Sequence, residues 1–255
     1  MKKIFLIINF KTLIIATLSV LSTYFCIRYS IMADYPLTLF ATAIIFPIVF
    51  SINGAYKRRE IALMKYSSLK AHAKAIYFVT RDCLEKPTDA TLKEAKDTIR
   101  GLFLAYQNLL VNRVCDVRKN EEAVYQSFSR LSRFIKVELR GNGLASGEVS
   151  RCNQYLSKMF LAFEDAKHIF QYRTPRTLRT FSTVFISLLP VLYGPYFAFE
   201  SQDYSPYLTY VMPVLFSLVL VSLSNIQNHL ENPFDGIGED DITVNVDQFI
   251  SRLYD

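Results

Sequence analysis

The residues best suited to holding a metal ion lie near the C-terminus, in the stretch ENPFDGIGEDD at 231–241. Asp235, Glu239, Asp240 and Asp241 stand around two glycines there. Calcium recruits carboxylates and backbone carbonyls of this kind, ~6–8 oxygens at a time. The spacing is not that of an EF-hand, because the alternating Asp/Asn positions and the closing Glu are missing. The same stretch also reads as a tail that leaves an apolar segment at Pro233. Residues 231–255 carry a net charge of −6 and residues 57–179 a net +11, so the tail can dock electrostatically on the middle of the chain. Docking is the reading carried forward, with calcium as the alternative ligand and no other cofactor expected.

The remaining reactive side chains form no constellation. His72, His168 and His229 have no acidic or cysteine partner at ligand spacing. Cys26, Cys83, Cys115 and Cys152 contain no C-x-x-C pair, and read as reduced packing residues. There is no Gly-rich phosphate loop, no G-x-S-x-G and no H-E-x-x-H. No catalytic residue is assigned, and an enzyme is not expected.

A different chemistry is open to PLTLFATAIIFPIVFSINGAY, residues 36–56. Thr42, Phe46 and Phe50 are four apart and share one helix face. Ala41 and Ala43 beside them permit close helix approach. A ring of such helices would stack collars of Thr, Phe and Phe around an axis. Apolar collars gate by dewetting, and the positive edges of aromatic rings can meet a dehydrated anion. The alternative is ordinary packing of two aromatics against neighbouring helices.

Four apolar segments must position these residues. Residues 35–56, 180–199 and 204–230 carry no charge, and residues 12–27 form a fourth run that Ile4–Phe10 extends past Lys11. About 20 apolar residues cross a hydrocarbon core of ~30 Å. The 255-residue chain, with mean hydropathy +0.18 and 51% hydrophobic residues, thus reads as a four-span helical membrane protein. The expected parts are a first hairpin over 1–56 (spans at about 4–27 and 35–56) and a helical region over 57–176. A second hairpin over 177–230 (spans at about 180–199 and 204–226) and an acidic tail over 231–255 complete it. Met1-Lys2-Lys3 before an apolar run also resembles a signal peptide, but no A-x-A-like step follows, so the segment reads as a retained first span.

Basic residues stay cytoplasmic. The N-terminus before the first span is +3, the middle +11, and the linkers at 28–34 and 200–203 are 0 and −2. Both termini and the middle are therefore expected inside, in the plasma (inner) membrane, with two short linkers outside. Lipids are expected partners. The basic surface reads as solvation beside anionic lipid rather than as a nucleic-acid site.

The middle is all-α by periodicity. Ile61, Met64, Leu69, Ala73, Ile76 and Val79 prolong the second span into the cytosol as one long helix. Thr91-x-x-Glu94 predicts a capping box, followed by an apolar stripe through Leu109. A third helix is expected over 121–139. After GNGLASG a fourth carries Val149, Cys152, Leu156, Met159, Phe163, Ala166 and Phe170, and stops at Thr174-Pro175. No strand pattern competes.

The order of these signals resembles the bestrophin family. Pro36, Phe50, Tyr56, Arg58 and Ala62, in the run through FSINGAYKRREIAL, match the family's Pro-led pore helix and the Tyr-x-Arg that opens its long cytosolic helix. ENPF before an acidic loop is a second match, and Thr174-Pro175 before the third span is a third. The resemblance implies a homopentamer around one axial pore that conducts small monovalent ions, chloride ahead of sodium or potassium. It places a hydrophobic neck on Thr42, Phe46 and Phe50 and a cytosolic aperture at Val149. In eukaryotic members the acidic loop helps form a calcium clasp. Three positions depart from the pattern. Thr42 is more polar than the usual branched apolar residue, Ser51 replaces a basic residue, and Pro47 breaks the helix ladder between two collars. A monovalent cation channel and a non-conducting scaffold that binds a protein partner are the other readings.

Overall fold

The computed structural model describes residues 8–112, 116–172, 175–203, 208–234 and 241–253. Among them every regular element is helical, and the chain divides into two compact units.

The first unit comprises residues 1–57 and 173–232. It contains α1 (Phe10–Arg28), the first part of α2 (Leu37–Asp82), α6 (Arg176–Leu192), α7 (Gly194–Glu200) and α8 (Val211–Leu230). Four of the described helical stretches are long and apolar enough to cross a membrane: α1, α2, α6 with α7, and α8. Asn9 caps α1 by accepting from the Thr12 backbone N–H at 3.1 Å, so the helix opens at Phe10. One stripe of α1, Thr12, Ile15, Ser19, Thr23 and Cys26, is buried. Most of these side chains are small, which lets α1 pack closely on α6, α7 and α8. Ile15, Ile44, Ile48, Ile186, Leu189, Tyr193, Phe197, Leu220 and Val221 form the apolar core.

The run expected as one third span is two helices. Pro195 has no N–H to give the Val191 carbonyl, and the chain turns at Tyr193 between α6 and α7. Hydroxyls from elsewhere satisfy the carbonyls at the break. Ser19 donates to Pro190 O and Ser22 to Val191 O, both at 2.7 Å, and Tyr35 donates to Leu192 O at 2.9 Å. Gly194 lies so close to α1 that a Cβ there would come within 3.0 Å of the Ser22 backbone carbon.

The second unit comprises residues 58–172 and 233–255. It contains the remainder of α2, α3 (Asp89–Gln107), α4 (Val117–Arg133), α5 (Ser146–Gln171) and α9 (Val246–Ser251). Short π-helical turns, Asn108–Asn112 and Phe134–Leu139, extend α3 and α4. The core gathers Leu69, Ala73 and Ile76 of α2, Ile99 and Phe103 of α3, Leu131 of α4 and Met159 and Phe163 of α5.

Two local expectations are corrected. The cap of α3 is Thr88, whose Oγ1 accepts from the Thr91 N–H at 3.2 Å, so Thr91 is an internal third residue rather than the first half of a box with Glu94. Pro47 does not interrupt α2, which runs through it as a 46-residue helix. One absent N–H is tolerated where Ile44 and Ile48, on either side of it, are buried in the core.

Candidate functional site

Helix α2 has two dissimilar faces within the membrane unit. Ile44, Ile48, Ser51 and Ala55 recur at helical spacing and are buried at 5%, 0%, 3% and 0% exposure. They hold α2 to the rest of its own chain. Thr42, Phe46 and Phe50 fall on another face and are exposed, Phe46 at 60% and Phe50 at 61%. Their neighbours Leu39 and Val49 are exposed as well. The two Phe rings meet edge to face with centroids 5.1 Å apart, so each limits the rotamers of the other. The Thr42 hydroxyl bonds the Thr38 carbonyl at 2.6 Å. With its donor engaged on its own helix, Thr42 is less polar toward its surroundings than its residue type suggests.

Ser51, the departure after the second Phe, points into the core and accepts a hydrogen bond from Gln227 Nε2 of α8 at 2.8 Å. Gln227 is itself buried, at 2% exposure. Nearby on α8, Asn225 bonds Asn9 at 3.2 Å and Thr12 at 3.4 Å. Beyond the end of α8, buried Glu231 accepts from Arg179 Nη1 at 2.6 Å through Oε2, while its Oε1 has no partner among the described residues. Sequence reading passed over these side chains. The usable signal was the cluster Ser224, Asn225 and Gln227 inside an otherwise apolar span, because polar groups in hydrocarbon need partners.

Val149 lies in the first turn of α5, in the second unit. It is half-buried against the core of the second unit, and its N–H bonds the Ala145 carbonyl at 3.0 Å. Asp235, Glu239 and Asp240 lie outside the described residues, so no geometry is assigned to them. Asp241 is half-buried. Among the described residues no group of three His, Cys, Asp or Glu side chains could hold a metal ion.

The tail does pack on the middle, and among its described residues the burial is apolar where an electrostatic dock was expected. Phe234, Ile242, Val244, Val246 and Leu253 are buried in the core of the second unit, and Phe249 packs on Phe103 at 4.6 Å between centroids. Gln107 Nε2 donates to the Val244 carbonyl at 2.8 Å. The ion pair Arg100–Asp247, at 2.7 Å, joins two exposed side chains and is a weak contributor by comparison.

The titratable groups of the second unit are structural in character. Burial pulls Lys167 down, but the hydrogen bonds it donates to Glu164, Tyr125 and Glu121 outweigh it and hold the ammonium above its ordinary value. The bond from Lys167 in turn holds the Glu121 carboxyl below its usual value. Burial pushes the Cys152 thiol up to about 12, which leaves it a packing residue rather than a nucleophile. Cys26 and Cys152 are buried free thiols, whereas Cys83 is exposed rather than a packing residue; Cys115 lies outside the described residues.

No family model and no curated protein matches the sequence. Solved structures do match the fold. A single-substitution form of a bacterial bestrophin homologue from Klebsiella pneumoniae aligns with TM-score 0.82 at 17% identity, covering 98% of this chain and 99% of that one. A second substituted form gives 0.81 at 17% identity over 95% of each chain. A third structure of a bestrophin homologue from that organism gives 0.80 at 15% identity over 96% of this chain and 97% of the other. The chain has the fold of these bacterial homologues along nearly its whole length, and it is an integral membrane protein.

Proposed function

We propose that this chain, folded like the bacterial bestrophin homologues, assembles as a homopentameric channel for small monovalent ions, with chloride favoured. The observation that carries the reading is the division of α2. Its own subunit buries the Ile44–Ile48–Ser51–Ala55 face and leaves Thr42, Phe46 and Phe50 uncovered. In a ring of copies that uncovered face becomes the wall of a dewetted neck, and Val149 becomes the cytosolic aperture. Basic segments keep both termini and the second unit in the cytoplasm, in the inner membrane. The acidic loop serves the docked tail, and calcium is its candidate ligand.

A cation-selective channel is the second reading. Glu200 and Asp203 favour it, since they put a carboxylate-bearing linker at the outer end of the membrane unit without a basic residue of its own. Purified protein in planar bilayers under asymmetric salt decides between the two. A reversal potential near that of chloride supports the first, and one near that of the cation supports the second. A pentameric complex of 29.4 kDa chains that carries no current under either gradient refutes both and leaves the scaffold reading.

A further inference from the structure

We infer that Gln227 and Ser51 form a polar latch that sets the rotation of α2, and with it the direction in which Phe46 and Phe50 point. The inference rests on the channel reading for its functional consequence but not for its geometry. A helix made of Leu, Ile, Phe and Ala side chains is weakly specified about its own axis in hydrocarbon, because lipid tails are as apolar as the residues they touch. A buried hydrogen bond has no such tolerance. Turning α2 by one residue, about 100°, would carry the Ser51 hydroxyl away from Gln227 and leave a primary amide without a partner in a medium that offers no water.

The position of the latch suits that role. Ser51 directly follows Phe50, so the bond acts at the cytosolic end of the Thr42–Phe46–Phe50 stripe. Ser51 and Gln227 are 3% and 2% exposed, and their 2.8 Å bond joins residues 176 apart in sequence. Apolar contacts at Ile44 and Ile48 continue the same face toward the other end of the span. Asn225, two residues before Gln227, binds Asn9 and Thr12 at the start of α1, so α8 is itself held against turning. Gln227 and Ser51 are therefore positioning residues. They line no path and touch no ion.

The test uses the full chain in lipid nanodiscs, with single cysteines at Ile48 or Phe50 in a background where the native cysteines are serine. A water-borne thiol reagent labels position 50 well above position 48 in the parent. Gln227→Met preserves volume and removes the amide, and Ser51→Ala removes the acceptor. Each lowers the 50:48 labelling ratio by roughly three- to tenfold, the population shift that one hydrogen bond supplies. The two together cost little more than either alone, as expected of partners in one interaction. Ser51→Thr keeps the hydroxyl and keeps the ratio. Variants that remain folded with an unchanged ratio, or whose effects simply add, overturn the latch. Equal labelling of 48 and 50 in the parent instead overturns the neck reading. Bilayer currents that vanish in the parent overturn conduction while leaving the latch standing.

Discussion

Phe50→Ala separates a wall residue from a packing residue, because the two roles predict different magnitudes. A fully buried Phe→Ala costs about 3–5 kcal/mol through lost contacts and the cavity left behind. Phe50 has 61% of its surface outside its own chain, so only about two-fifths of that packing is at stake, or about 1–2 kcal/mol. Ile48, two residues away, is fully buried, and Ile48→Ala is expected to cost about 2–5 kcal/mol. Thermal melts in matched detergent should therefore rank Ile48→Ala as the more damaging change, although the smaller side chain is removed. Conduction should rank them in the other order. Phe50→Ala, like Phe46→Ala, widens and wets the neck and raises conductance or open probability, whereas Ile48→Ala leaves the conduction of surviving channels close to the parent. A Phe50→Ala variant that destabilises as much as Ile48→Ala, or that is stable with unchanged currents, refutes the wall assignment.

Val149→Ala trims a half-buried side chain and should shift permeability ratios among ions of different size, read as reversal potentials in mixed solutions, with little loss of assembly. For the tail, the apolar docking predicts that about 1 M salt, which shortens the Debye length to about 3 Å, leaves it bound. Phe234→Ala should release it, as limited proteolysis would report. Asp240→Asn with Asp241→Asn should abolish any calcium-dependent rise in melting temperature if the loop binds that ion, and magnesium should substitute poorly. Glu121 titrates below its usual value in the folded chain. Its contribution is therefore present above the unfolded value of about 4.3 and is lost as pH falls through the folded one. Glu121→Gln should flatten the acid decline in melting temperature below about pH 4.3 relative to the parent.

The spans were readable because hydrocarbon imposes a length and a lack of charge that few other environments demand. The exposed face of α2 was readable because Thr42, Phe46 and Phe50 repeat at helical spacing. What escaped depends on partners distant in sequence. Pro195 is visible in the run 180–199, but whether it bends or breaks the span depends on Ser19, Ser22 and Tyr35, which lie far earlier in the chain. Thr88 and Thr91 are both acceptable caps by type, and only the path of the chain after Pro87 selects the first. Carboxylates dominate the tail's sequence, whereas its docking rests on the alternating Ile242, Val244 and Val246. Ser51 stands out in the sequence only as a departure from a basic residue, because its partner Gln227 is 176 residues away.

The hydroxyl-closed break between α6 and α7 also constrains how the protein is made. A third span leaving the insertion machinery alone would bring the Val191 carbonyl into the membrane without its α-helical donor, since Pro195 has no N–H. Ser22 supplies the donor from a helix synthesised well before, and Gly194 leaves it room to approach. The order of translation thus places the donor in the bilayer before the acceptor arrives.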